Sequence, residues 1–404
     1  MHRHPWNPLP AIALSLLLAT ACGESLPFEP AGPEAAPDPG VTGPYAVGVR
    51  TVWLEDPTRE DPYGEAAGRR FKVEVWYPAV EEARDAARDL LDLHAEAPPS
   101  VVAALEGVSI PRVEQPAVRD AALHEKDAPY PVIVFSHGNG GIRAQSFSYT
   151  AHLASHGYLV VSADHVGNTL FDFLDVTDVT GNTLNSIFDR PEDLRLMLDA
   201  LEDGSFDPGG ELAAAADLER VGVTGHSLGG LTSLYVSQPD QSAFDARYDA
   251  AVPVTPATEV LALLAAPVEG VELPLLYVGA TADQTLDYQV ETVAAYEKHT
   301  GHRAMAGVVD AGHFSFSEIC ELELGEAALA LGMSEDIAGL LEDGCGPQNI
   351  PVSRAHTLNN FYGTAWFNIY LRGSELTASE WLDPAAAPAD VEYRIDRPGL
   401  SSER

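Results

Sequence analysis

The sequence predicts an α/β protein with a mostly parallel sheet covered by helices on both faces. Three observations lead there. From Pro131 onward, short apolar runs alternate with glycine-bearing turns and helical stretches, the rhythm of βα units. At 404 residues and 46% hydrophobic composition, the chain can bury a large core. The third is residues 219–231, where the apolar run Val221–Thr224 meets Gly225-His226-Ser227-Leu228-Gly229 and then Gly230 to Tyr235, a plausible helix. This is G-x-S-x-G between a strand and a helix.

The elements read in order as follows. The N-terminus carries His2, Arg3 and His4, then the apolar stretch Ala11–Ala21, too short to span a bilayer as a mature helix. It ends Ala19-Thr20-Ala21-Cys22. The first three residues fit a secretory cleavage site, and with Cys22 they resemble a bacterial lipobox, which makes Cys22 the expected lipidation site although Ala19 stands where Leu is usual. Residues 1–22 are thus read as a signal peptide of lipoprotein type, and the proline- and glycine-rich 23–44 as a disordered tether. The body is expected over 45–373, with insertions at 78–130 and 315–346. Residues 374–404 are expected to be a peripheral tail.

Within the body, Tyr45–Trp53 and Phe71–Tyr77 read as a strand hairpin at a sheet edge, the second alternating Phe71, Val73, Val75 and Tyr77 against Lys72, Glu74 and Trp76. Residues 81–93 and 101–105 read as helices of an insertion that is either a lid or padding. Strands follow at 132–135, 158–163, 221–224, 248–254, 274–279 and 304–309. Helices are expected at 144–156, 185–203 and 356–370. The 185–203 helix carries Leu194, Met197, Leu198 and Leu201 on one face.

Net charge narrows the partners. With 61 acidic against 23 basic residues the formal charge is −38, which repels nucleic acid and anionic membrane surfaces. A small-molecule ester or lipid is the expected substrate, with membrane attachment only through an N-terminal lipid. Two cysteines remain beyond Cys22. In an exported chain, Cys320 and Cys345 are expected to pair, closing a loop worth about 3 kcal/mol.

Ser227 sits at the tip of a sharp turn, where Gly225 and Gly229 supply the absence of Cβ that the turn demands. A serine hydroxyl needs a base, an orienting acid and oxyanion donors, and in α/β-hydrolases these follow in the order Ser, acid, His. His313, after Gly312 and the last apolar run, is the expected base. Asp283, just past the run 274–278, is the expected acid, with Asp287 and Glu259 as rivals and a helix cap as its bland alternative. The oxyanion donors are expected to be the N–H of Leu228 and, from His137-Gly138-Asn139-Gly140-Gly141, that of Asn139. That glycine-rich loop lacks the Lys-Ser/Thr of a nucleotide loop. His152 and His156 are spaced i, i+4 but lack a third ligand, so no metal is expected, and no cofactor. Phe314, Phe316 and Phe188 are read as either an acyl-pocket wall or core.

These residues, with Val134-Phe135-Ser136-His137-Gly138, Leu153-Ala154-Ser155-His156-Gly157-Tyr158, Asp189-Arg190-Pro191-Glu192-Asp193-Leu194 and Gly225-His226-Ser227-Leu228-Gly229-Gly230, resemble the platelet-activating factor acetylhydrolase family of the α/β-hydrolase fold over roughly 45–320. The resemblance implies the triad Ser227, Asp283 and His313, oxyanion donors at Leu228 and Asn139, and calcium-independent cleavage of short or oxidised acyl chains from phospholipids. Bacterial relatives act on varied esters. Asn139 departs from the apolar residue frequent in the family, and the Cys320–Cys345 segment could cap the pocket. The reading is a cofactor-free serine esterase working through an acyl-enzyme. A polyester depolymerase or long-chain lipase is the alternative. A binding protein on a catalytically dead scaffold is the alternative of another class.

Overall fold

A computed structural model describes residues 37–62, 67–175, 179–373 and 381–396. The signal segment, Cys22 and most of the expected tether lie outside these residues.

The strands are β1 (Ala46–Asp56), β2 (Arg69–Ala79), β3 (Leu90–Leu91), β4 (Val113–Glu114), β5 (Val118–Arg119), β6 (Tyr130–Ser136), β7 (Leu159–Ala163), β8 (Ala216–His226), β9 (Tyr248–Val254), β10 (Leu275–Ala280), β11 (Arg303–Val308) and β12 (Val391–Asp396). All but β3 and β4 form one ten-stranded sheet in the order β12-β11-β10-β9-β8-β6-β7-β2-β1-β5. From β7 through β11 the pairings are parallel. The β1–β2 hairpin joins β7 antiparallel.

Two apolar layers follow from strand alternation. In β6, Val132 and Val134 pack into the layer with Leu194, Met197, Leu198, Leu201, Leu231 and Leu234. These come from the helices Val179–Asp203 and Leu228–Tyr235. Ile133 and Phe135 point the other way, into the layer with Phe147, Leu153, Tyr362, Trp366 and Phe367 from the helices Phe147–Ser155 and Val352–Arg372. This is the α/β-hydrolase architecture the sequence predicted, with helices on both faces.

Three expectations change. The hairpin is not at the edge, because β5 pairs parallel with β1; on β2 both alternating faces are covered, with Glu74 and Trp76 buried. Residues 81–93 form no continuous helix but a 3-10 turn at Glu81–Asp85, β3 and the single turn Leu93–Glu96. Asp92 caps that turn by accepting from His94 N at 3.0 Å, while Asp89 accepts from Arg119 Nε at 3.1 Å. These carboxylates hold separate loops instead of one helical face. Finally, the expected tail contributes β12, antiparallel to β11.

Described residues 37–44 of the expected tether lie along the helix Phe147–Ser155. His152 Nε2 bonds Pro39 O at 2.8 Å and His156 Nε2 bonds Val41 O at 2.9 Å. The i, i+4 histidines therefore hold chain to chain. Among the described residues no group of three His, Cys, Asp or Glu side chains is arranged to hold a metal ion.

The 78–130 insertion is bolted to the body by ions. Arg143, just after the glycine loop, donates to Glu74 Oε2 (2.8 Å), Asp164 Oδ2 (2.7 Å) and Glu96 Oε2 (2.8 Å). Burial works against the charge of Arg143, but these three carboxylates outweigh it and raise its affinity for the proton.

Candidate active site

The turn at Ser227 is built by exclusion. Ser227 has φ 55° and ψ −116°, a strained backbone for a residue with a Cβ. It is tolerated because its neighbours can approach closely. A Cβ on Gly229 would lie 1.8 Å from Ser136 O, and one on Gly225 would lie 2.5 Å from the Gly229 carbonyl. The Ser227 N–H is fixed to Val254 O at 2.9 Å. The helix Leu228–Tyr235 starts immediately after it, so the Leu228 N–H is one of the helix-start donors that have no partner within the helix.

Asp283 and His313 follow β10 and β11, on the same C-terminal rim of the parallel strands as Ser227. This rim is where α/β sheets place their sites. His313 Nδ1 donates to Asp283 Oδ2 at 2.8 Å, with both side chains nearly inaccessible. In the neutral ring, Nε2 is then the basic nitrogen. Asp283 Oδ1 accepts the N–H groups of Thr285 (2.9 Å) and Leu286 (2.7 Å). The cap and the imidazole partner are two oxygens of one carboxylate. The rival Asp287 is occupied as a cap for Gln289 and Val290, and Glu259 makes no bond to His313 among the described residues.

The two halves of the site meet through His226. Its Nε2–H donates to the His313 carbonyl at 2.8 Å. Nδ1 therefore accepts, taking a hydrogen bond from Gln145 Nε2 at 2.8 Å. Gln145 Oε1 in turn accepts the Gly138 N–H at 2.8 Å. One directed chain thus spans the glycine loop, the serine turn and the His313 loop. Burial, reinforced by the neighbouring His313, pulls His226 down to about 3, so the ring is neutral and its tautomer is set by its partners. The sequence shows His226 only as a position of the serine motif and carries no sign of Gln145 as its partner.

The glycine loop is held from behind by Arg190, which is fully buried. It donates to His137 O, to Gly138 O at 3.0 Å and to Asn168 Oδ1 at 2.6 Å. A trans peptide points its C=O and N–H in opposite directions. The Gly138 carbonyl faces Arg190, so the Asn139 N–H faces away from it. The Asn139 side chain is tied by Asn168 Nδ2 (2.9 Å) and Thr183 Oγ (3.0 Å). Below this lies a relay: Arg190 to Ser136 Oγ, Ser136 to His165 Nε2, and His165 Nδ1 to Asp193. Burial would raise Asp193, yet Arg69 and His165 hold it below the ordinary carboxylate range. The family-like stretch 189–194 therefore supports the glycine loop.

Of the three phenylalanines, Phe316 is core, Phe188 is exposed, and half-buried Phe314 packs its ring against His313 and His226. A cleft of about 770 Å³ is lined by Trp53, Arg70, Pro98, Pro99, Thr169 and Phe171. It borders the glycine loop through Thr169, which bridges Gly141. Cys320 and Cys345 form a disulfide, as expected.

A ten-stranded sheet carrying a strained serine turn and an Asp–His pair on one rim is the framework of an α/β-hydrolase. Comparison with known proteins narrows the class. The family model of platelet-activating factor acetylhydrolase, isoform II, matches residues 35–170. The solved structure of a ferulic acid esterase from Streptomyces cinnamoneus is similar with a TM-score of 0.60 and 26% identity, over 86% of this chain and 96% of that one. The fold is that of an α/β-hydrolase, the chain is similar to the platelet-activating factor acetylhydrolase family over the matched stretch, and the two likenesses support a carboxylic ester hydrolase in general terms.

Proposed function

We propose that Ser227 is the nucleophile, His313 the general base and Asp283 its orienting acid, and that the reaction passes through an acyl-enzyme. The observation that carries this is the His313–Asp283 bond of 2.8 Å, joined by His226 to the strained serine turn. His313 Nε2 takes the hydroxyl proton as Ser227 Oγ attacks the ester carbonyl, then returns it to the leaving alcohol. The N–H groups of Leu228 and Asn139 receive the oxyanion, each donor worth about 3 kcal/mol in the transition state. Water activated by the same imidazole releases the acid.

The substrates proposed are short-chain or phospholipid-type esters. The family-model match supports this, and the neighbouring cleft has room for a small acyl or alcohol portion. The likeness to a ferulic acid esterase supports a second reading, esters of aromatic acids, with exposed Trp53 at the cleft as an aromatic contact. We further propose export, with lipidation at Cys22. The Cys320–Cys345 disulfide supports an oxidising compartment. Intact mass of the mature N-terminus tests the lipid.

The test is hydrolysis of p-nitrophenyl esters from acetate to octanoate, a short-chain phospholipid and methyl ferulate, by wild type and Ser227→Ala. Loss of turnover and of fluorophosphonate labelling in the variant is expected. Retained turnover rejects Ser227 as nucleophile.

A further inference from the structure

Behind the Asp283–His313 pair stands a second buried carboxylate that the proposed mechanism does not use. Asp343 is 5% exposed. Its Oδ2 accepts three hydrogen bonds from the loop that carries Asp283: Gln284 N at 2.9 Å, Thr285 N at 3.0 Å and Thr285 Oγ at 2.8 Å. The Thr285 N–H is shared with Asp283 Oδ1, so the two carboxylates grip the same peptide. The backbone of this arm holds the other partner. Asp343 O accepts the Phe314 N–H at 2.8 Å. Gly344 O accepts from Ser315 Oγ at 3.1 Å, and that hydroxyl takes the Gly312 N–H at 3.0 Å. Gly344 presses so closely on Gly312 that a Cβ there would lie 2.4 Å from the Gly344 nitrogen.

Residues 343 and 344 thus clamp the acid loop with a side chain and the histidine loop with backbone. The arm is fastened one residue further on, where Cys345 joins Cys320, itself seven positions past His313 in the chain. The bridge closes the chain from the histidine loop back onto the clamp.

We propose that Asp343 is a positioning residue for the Asp283–His313 pair, and that the Cys320–Cys345 bridge keeps it seated, so that turnover depends on the disulfide through Asp343. This rests on the serine-hydrolase reading above. Misplacing a general base by a fraction of its reach costs rate without weakening substrate binding. The clamp needs an acceptor at this place rather than a charge, so an amide there serves.

The experiment compares wild type, Asp343→Ala, Asp343→Asn, Cys320→Ser/Cys345→Ser and the combined Asp343→Ala/Cys320→Ser/Cys345→Ser protein on p-nitrophenyl acetate. Thermal unfolding checks each variant, and Ser227→Ala is the control. In D343A and in the disulfide-free variant, kcat is expected to fall about 10- to 100-fold, with KM within about 3-fold of wild type. D343N is expected to restore kcat to within a few-fold of wild type. The combined variant is expected to lose no more than the worse of its parents, the non-additivity of parts acting as a unit. Wild-type kcat in D343A or in the disulfide-free variant, losses that add, or D343N as impaired as D343A each overturn the proposal. If D343A fails to fold, D343N and the disulfide-free variant decide on the same criteria. An active S227A protein defeats the underlying reading instead, whatever Asp343 does.

Discussion

The imidazole of His226 donates its Nε2–H to the main-chain carbonyl of His313 across 2.8 Å, so the residue preceding the candidate nucleophile carries the peptide of the candidate base. The spacing between Ser227 and His313 is therefore not left to two independent loops.

Replacing His226 with phenylalanine keeps an aromatic ring at the site, somewhat larger than imidazole, and removes both hydrogen bonds. The Gln145 amide and the His313 carbonyl are then buried without partners, at about 1–3 kcal/mol for each group. His226→Phe is expected to unfold several degrees earlier and to lose about 10-fold or more in kcat. Differential scanning fluorimetry and steady-state kinetics check both. Wild-type kcat in a destabilised protein would reduce the bond to a structural one.

Gly229→Ala places a methyl where Ser136 O already stands, 1.8 Å from the new Cβ. The helix cannot start without displacing the glycine loop, so no soluble active protein is expected. Gly339, in the helix Glu335–Leu341, has open space around it and ordinary dihedrals. Gly339→Ala is expected to stabilise by about 0.5–1 kcal/mol through helix propensity. The soluble yield and activity of Gly229→Ala, set beside urea unfolding of Gly339→Ala, separate a packing glycine from a dispensable one.

Glu318 gives stability a dependence on pH. Burial, helped by the charge of Glu321, pushes its carboxyl up to about 8 from an ordinary 4.5. It accepts the Ser148 N–H at 2.8 Å through Oε1, while its buried Oε2 has no hydrogen-bond partner among the described residues. A raised carboxyl favours the folded state fully below the unfolded value, and that contribution is lost as pH rises through about 8. Glu318→Gln is expected to flatten this decline between pH 5 and 8, in roughly the window the shift defines, and to be the more stable protein at pH 8. Unfolding free energies across the range test it, and equal slopes in the two proteins would reject it. Acid destabilisation should persist in both. His226 and His165, each drawn down to about 3 chiefly by burial, bind protons on unfolding as pH falls below 6.5.

Much of the candidate site was legible because each of its proposed chemical groups sits in a short local pattern at the end of an apolar run. Ser227 is announced by two glycines, His313 by Gly312 and Asp283 by the strand before it. What supports them was not. Asp343 lies 58 residues from Thr285 and Gln145 lies 81 from His226, and nothing in either neighbourhood states where the chain will return. Helix formers at 81–93 misled because propensity is a weak prior once carboxylates such as Asp89 and Asp92 have long-range or capping work. β12 did carry a signal. Val391, Tyr393 and Ile395 alternate with polar residues, but this was overshadowed by the prolines on either side.

That final strand has a practical consequence. It shields the outer flank of β11, the strand leading to His313, and Asp390 O also accepts the Val309 N–H at 2.9 Å. Trimming the carboxyl terminus to residue 373 would bare a ladder of unpaired amides six residues long, an adhesive seam between molecules. Expression vectors that shorten the protein there should yield aggregates, whereas affinity tags appended after Arg404 leave the seam sealed.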